Sequence, residues 1–136
     1  MLYFLRNLVK LQTPEDSGSS HLHALRAGDE VLLTGEIFTA RDQAHKRLAA
    51  LIKKGAKLPL DLNGQIIYYC GPTRTPPGKA IGSCGPTTSA RMDKMTEPLL
   101  TCGLKGMIGK GARSEEVRRL IKKHKAVYFL ATGGAG

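Results

Sequence analysis

With 136 residues, 41% of them hydrophobic and none of them Trp, the chain has the dimensions of one modest domain and leaves no room for two. A chain of this size buries about two thirds of its unfolded surface, so a core without disulfide or metal staples is expected. Aromatics make up only 5%, which leaves that core to Leu, Ile, Val, Ala and Met. No apolar run approaches the ~20 residues of a spanning helix, and the N-terminal apolar stretch is interrupted by Arg6 and Asn7, so the expectation is a soluble, cytoplasmic protein.

The formal charge of +10 is uneven: the first 100 residues carry a net +4 and the last 36 a net +6. Such a surplus reads as a solvated helix face awaiting an acidic partner or segment, with a polyanion-binding module as the second reading. Neither aromatic interleaving nor a nucleic-acid-binding signature accompanies the basic residues, so no nucleic acid is expected as partner, and a small anionic substrate is compatible with them. Cys70, Cys84 and Cys102 form no C-x-x-C pair and have no histidine at zinc spacing. They read as small buried thiols in a reducing compartment, and any metal would draw its ligands from another chain.

In chain order, residues 11–28 read as a loose lead-in with one helical turn, and residues 30–38 as a half-buried strand with a bulge at Gly35. From Thr39 the period changes, with Ala44, Leu48, Leu51 and Ile52 on one face of a helix. Thr39 and Asp42 have capping-box spacing, and Lys53-Lys54-Gly55 suits the negative end of the dipole and a C′ glycine. Arg41 falls in the first turn, where a cation is disfavoured unless it is paired or awaits an anion. A strand follows at 64–70 and a Pro- and Gly-rich loop after it. Pro86 precedes a helix start with three hydroxyls, Thr87, Thr88 and Ser89, at its free amides; that end of a helix binds anions, and Thr87 and Arg91 share a face.

A new helix is expected from Thr96 to a stop at Gly103, then a strand at 105–108 leading into Gly109-Lys110-Gly111. Ser114 caps a last helix carrying Val117, Leu120 and Ile121, and residues 126–131 form a buried strand. Taken singly, each feature has a plain alternative. Gly109-Lys110-Gly111 is a turn with an exposed lysine, Arg41 a surface side chain, His45 a packed or exposed histidine, and Thr87-Thr88-Ser89 a cap. Together they place three cations at element ends, where carboxylate or phosphate sites are built.

Three stretches carry a family resemblance: Thr39-Ala40-Arg41-Asp42 with Ala44-His45-Lys46-Arg47; Gly82-Ser83-Cys84-Gly85-Pro86-Thr87-Thr88-Ser89-Ala90-Arg91-Met92-Asp93; and Gly106-Met107-Ile108-Gly109-Lys110-Gly111. From about Thr13 to the end, the chain resembles the beta subunit, or C-terminal domain, of the iron–sulfur class I fumarate hydratases. The related L-tartrate dehydratase beta subunits share the Gly-Pro-Thr-Thr-Ser-x-Arg-Met core, and Ala40-Arg41-Asp42 with Ala44-His45 looks more like the fumarase side.

The resemblance implies a mixed α/β fold, a swivelling β/β/α domain, with residues 1–12 as lead-in and 13–136 as the fumarase beta-type domain. It implies reversible hydration of fumarate to L-malate, a step of the tricarboxylic acid cycle, by a hetero-oligomer with a fumarase alpha-type subunit. The [4Fe-4S] cluster is then held by the alpha part, its fourth iron open as a Lewis acid. Arg41, Arg91 and Lys110 match dicarboxylate-binding positions, and Thr87 matches the proposed base for the C3 proton. A threonine hydroxyl is a poor base near pH 7, so it needs either a stabilised anion or a proton relay into the alpha part. Family members continue beyond Gly133-Gly134, so a C-terminally shortened subunit or fragment is expected.

Overall fold

The computed structural model describes residues 8–13 and 21–133. The readings of the N-terminal apolar stretch up to Asn7, of the Ser/Gly-rich part of the lead-in at 14–20 and of the final residues 134–136 lie outside them.

The elements are β1 (Leu8–Thr13), α1 (His21–Ala24), β2 (Glu30–Gly35), β3 (Phe38–Thr39), α2 (Asp42–Lys53), β4 (Ile66–Tyr68), a 3-10 turn (Ser89–Met92), α3 (Asp93–Thr101), β5 (Gly106–Gly109), α4 (Glu115–Lys123) and β6 (Val127–Leu130). This is the mixed α/β architecture expected. A two-stranded parallel ribbon, β1–β2, stands beside a parallel sheet in the order β3-β4-β5-β6. Where the sequence suggests only a lead-in, β1 pairs along its whole length with β2, from Leu8 opposite Glu30 to Thr13 opposite Gly35. The single strand expected at 30–38 is two strands in different sheets. Gly35 separates them at φ +118, a conformation closed to most side chains, and a Cβ there would also overlap the Thr13 carbonyl.

Strand order equals chain order in the four-stranded sheet, so crossovers of one hand place the intervening helices on one face. Accordingly α2 packs on α3, and α3 on α4. Between helices and sheet lies the core: Leu48 from α2, Ile67 and Tyr69 from β4 and its continuation, Met92, Leu99 and Leu100 from the 3-10 turn and α3, Leu104, and Met107 from β5. Ile67 and Met107 face each other across the ladder, as the two-residue period of paired strands requires.

Two helices follow the expected periodicity closely. On α2, His45 and Leu48 are buried, and Ala44 and Ile52 pack against the core. On α4, the Ser114 side chain accepts from the Val117 amide at 3.3 Å, Val117 is buried, and Leu120 and Ile121 lean on the core.

Other boundaries move. The first residue of α2 is Asp42 and its N-cap is Arg41, with no side-chain capping bond, so Thr39 belongs to β3 and caps nothing. The helix expected from Thr96 begins at Asp93, continuous with the 3-10 turn, and carries Pro98 inside it. The strand expected to be buried at the end, β6, is the sheet's edge; Leu130 is 73% exposed. No helix among the described residues is long and apolar enough to cross a membrane.

The cysteines depart furthest from expectation. Cys102 is free, but Cys70 and Cys84 are joined in a disulfide, their Cα atoms 5.9 Å apart across 14 residues of sequence. The loop between them folds back on itself, with the Thr73 amide donating to the Ser83 carbonyl at 2.9 Å. Sequence spacing says nothing of such a return.

Candidate anion-binding site at the strand ends

In a parallel sheet, the chain leaving the carboxyl ends of neighbouring strands converges on one edge, and ligands bind in that crevice. Arg41 follows β3, Tyr69 to Gly71 follow β4, and Lys110 follows β5. Their backbones are tied: the Ala40 amide donates to Tyr68 O at 3.0 Å, and the Tyr69 amide to Ile108 O at 2.8 Å. The segment carrying Thr87 is stitched into the same edge. Its amide donates to Tyr69 O at 2.7 Å, Ser89 N donates to Lys110 O at 3.0 Å, and Lys110 N donates to Thr87 O at 3.3 Å. Thr88 and Lys110 thus form a parallel bridge.

The three hydroxyls expected to cap a helix do something else. Thr88 is the N-cap of the 3-10 turn by position, without a side-chain capping bond. Ser89 is buried at the sheet edge. Thr87 Oγ1 accepts a hydrogen bond from Arg91 Nη1 at 3.2 Å, across the i to i+4 interval.

The rest of the Arg91 guanidinium is held by Asp42, the first residue of α2. Nε donates to one carboxylate oxygen at 3.1 Å and Nη2 to the other, a two-pronged ion pair bridging 49 residues of sequence. Bidentate pairing fixes a guanidinium's plane as well as its position. Arg91 remains 52% exposed in its side chain and Asp42 24%, so the cluster opens outward. Burial pushes the Asp42 carboxyl up, but the Arg91 hydrogen bond, its own backbone amide and the charges of Arg91 and Arg41 outweigh this, and the net effect holds it below the usual carboxylate range.

Arg41 lies against the backbone of Gly71, where a Cβ would overlap its guanidinium; any larger residue there would displace it. Of the residues singled out from sequence, Thr87 and Arg91 touch directly, Arg41 joins them through the adjacent Asp42, and Lys110 joins through the backbone. Among the described residues no side-chain hydrogen bond or ion pair links Lys110 to the other three. Its Nζ lies 3.9 Å from the position of a Cβ on Gly133.

His45 is not part of this cluster. It is buried, its Nδ1 lies 3.1 Å from Arg41 O, and its ring meets Tyr69 edge-on at 5.0 Å between centroids. Burial lowers its pKa below the ordinary value of 6.5. Of the two plain readings of His45, packed or exposed, the structure shows the packed one.

Beneath the cluster lies a buried polar network that the sequence does not announce. Arg113 donates from Nε to Asp93 at 2.7 Å, from Nη2 to Thr96 at 2.8 Å and from Nη1 to the Tyr69 hydroxyl at 3.3 Å. Its guanidinium also lies 5.4 and 5.1 Å from the ring centroids of Tyr69 and Tyr128. The Tyr128 hydroxyl is 2.8 Å from both Ser89 Oγ and Gly111 O; having one proton, it donates to the carbonyl and accepts from Ser89. These residues fix Tyr69 and Ser89, the backbone anchors of Thr87 and Lys110. Asp42 and Asp93 carry only the local signal of a helix start and Arg113 carries none, while the ion-pair partners lie 49 and 20 residues apart.

The family described as Fumarase C-terminus matches residues 5–136. Among curated proteins, the chain is 39% identical over 113 residues to "Putative L(+)-tartrate dehydratase subunit beta" of Methanocaldococcus jannaschii, covering 81% of this chain and 58% of that protein. It is 38% identical over 127 residues to the anaerobic class I fumarate hydratase of Escherichia coli, covering 93% of this chain and 23% of that one. To fumarate hydratase 2 of Leishmania major it is 37% identical over 127 residues, covering 93% and 22%. The chain thus spans rather more than half of the first relative and under a quarter of the other two.

Proposed function

The chain belongs to the fumarase C-terminus family, and from that membership we propose that it is the beta component of a fumarate hydratase, acting with an alpha component to interconvert fumarate and L-malate. One observation carries the reading: at a single sheet edge, the Thr87 hydroxyl is hydrogen-bonded by Arg91, whose guanidinium is oriented by Asp42, with Arg41 and Lys110 on the flanking strand ends. Two guanidinium forks and an ammonium suit a small dicarboxylate dianion. With Nε and Nη2 engaged by Asp42, Arg91 offers its Nη1 side to an incoming carboxylate, next to Thr87.

Thr87 is the group we assign to proton transfer at substrate C3. Donation from Arg91 to Oγ1 makes negative charge on that oxygen less costly, which supports a hydroxyl acting as base or as a link in a relay. An iron–sulfur cluster does not fit this chain's own residues. Among those described, no group of three or more His, Cys, Asp or Glu is placed to hold a metal, and Cys70 and Cys84 are bonded to each other. The cluster of the proposed enzyme is accordingly assigned to the alpha component.

The test is fumarate hydration after anaerobic reconstitution with an alpha component. Thr87→Ala is expected to depress kcat with little change in assembly or KM, and full kcat in that variant would reduce Thr87 to a structural contact. Arg91→Ala is expected to lower kcat/KM by an amount equivalent to about 2–5 kcal/mol of transition-state stabilisation in the assembled, desolvated site. Activity of this chain alone would overturn the two-component reading.

A second reading is favoured by the Methanocaldococcus relative, a protein of which this chain covers 58% and which is named "Putative L(+)-tartrate dehydratase subunit beta". Comparing turnover of fumarate and L-tartrate by the reconstituted pair separates the two.

A further inference from the structure

The Cys70–Cys84 disulfide sits between two parts of the anion cluster. Cys70 is flanked by Tyr69, whose carbonyl accepts the Thr87 amide at 2.7 Å, and by Gly71, against which the Arg41 guanidinium lies. Cys84 precedes Gly85-Pro86-Thr87, and its carbonyl accepts the Tyr68 hydroxyl at 2.7 Å. The bond therefore joins the support of Arg41 to the segment that carries Thr87. The rest of the loop is held lightly, since residues 72–81 are all exposed. The two cysteines also differ in access: Cys70 is 2% exposed, whereas Cys84 is half-buried.

We propose that Cys70 and Cys84 form a reversible thiol–disulfide site that controls the geometry of the anion cluster. Oxidised, the bond holds Thr87 in register with Tyr69 and Gly71; reduced, the loop loosens and the cluster loses dicarboxylate affinity. Access dictates the chemistry. A small thiolate such as glutathione attacks Sγ of Cys84, the more accessible cysteine, and the electron pair of the S–S bond leaves on Cys70 Sγ, which takes up a proton. A second thiolate resolves the mixed disulfide, releasing glutathione disulfide and the Cys84 thiolate, which is then protonated, for a net transfer of two electrons and two protons. Glutathione disulfide drives the reverse reaction. Reversible pairs of this kind are the usual form of disulfide where the surroundings are reducing. Cys102, free at the end of α3, is an internal reference.

The functional part of this proposal rests on the dicarboxylate reading; the structural part does not. The 136-residue chain is equilibrated in glutathione and glutathione disulfide mixtures, acid-quenched, alkylated and peptide-mapped, and its amide exchange is measured in each state. Expected are a Cys70–Cys84 cross-link that titrates as a single two-electron couple, and at least tenfold faster exchange at Thr87 and across residues 71–86 on reduction. Met107 and Ile108 of β5 should be unchanged, and fumarate affinity should fall several-fold and return on reoxidation. The C70A/C84A double variant should reproduce the reduced state, with the reduced native chain as the control for folding. Failure of the cross-link to form in any mixture, or identical Thr87 exchange in both states, overturns the proposal. If exchange follows the redox state but neither form binds fumarate, the redox control of the loop stands and the reading of this chain by itself as a dicarboxylate site falls.

Discussion

Arg113 is 6% exposed and divides its guanidinium among Asp93, Thr96 and Tyr69, while Thr96 passes a further bond to Met92 O at 2.9 Å. A buried pair of this kind contributes less by its own attraction than by what its loss exposes, because removing one partner strands the other in a poorly solvated site. Arg113→Ala should therefore destabilise the fold by about 3–5 kcal/mol. Adding Asp93→Asn should cost much less than the sum of the two single losses, because the two residues share one interaction. Urea unfolding of the four members of that cycle checks both statements; strict additivity would mean that the pair is not coupled. At this scale the candidate site was half legible. Arg41, Thr87, Arg91 and Lys110 stand out because cations and hydroxyls cluster at element ends. Asp42 reads as a capping residue and Arg113 carries no signal, since an ion pair closed over 49 or 20 residues leaves no local trace.

The helices α2 and α4 are readable because burial of one face imposes a 3.6-residue period, which a strand does not share. Strand limits were not readable to the same degree. One apolar run feeds both β2 and β3, in different sheets, and only the conformation of Gly35 divides them. Likewise β6 is apolar yet forms an edge, since composition reports what a strand could bury and not what lies beside it. The start of α3 lies before the expected Thr96, because the 3-10 turn ahead of Asp93 supplies an earlier entry. For α2, the buried His45 yields a pH test. Burial depresses its pKa in the folded chain below 6.5, so below that ordinary value the unfolded chain binds more protons and stability falls with falling pH. The contribution is fully present above the ordinary histidine value and is lost as pH drops toward the folded-state value. His45→Gln should flatten this slope of unfolding free energy just below the ordinary histidine value of 6.5. An unaltered slope would show that another group carries it.

Across the whole molecule, the parallel order β3-β4-β5-β6 gathers residues that are far apart in sequence. Arg41, Tyr69, Thr87 and Lys110 meet because each follows, or is hydrogen-bonded to, the carboxyl end of a neighbouring strand. The same edge concentrates positive charge in a chain whose net formal charge is +10. Two effects of added anions should therefore be separable. General screening weakens repulsion among exposed charges over a Debye length of about 8 Å at 0.15 M, and any salt supplies it. A dicarboxylate that occupies the Arg41, Arg91 and Lys110 cluster adds stabilisation by mass action, about 2.7 kcal/mol at a hundred times its dissociation constant. At equal ionic strength, succinate should thus raise the unfolding midpoint of this chain above the value in sodium chloride, and the excess should saturate with concentration. Arg91→Ala together with Lys110→Ala should abolish the excess while leaving the sodium chloride response in place. An excess that survives the double variant would assign the anion effect to the general basic surface, and with it remove the cluster as a dicarboxylate site on this chain.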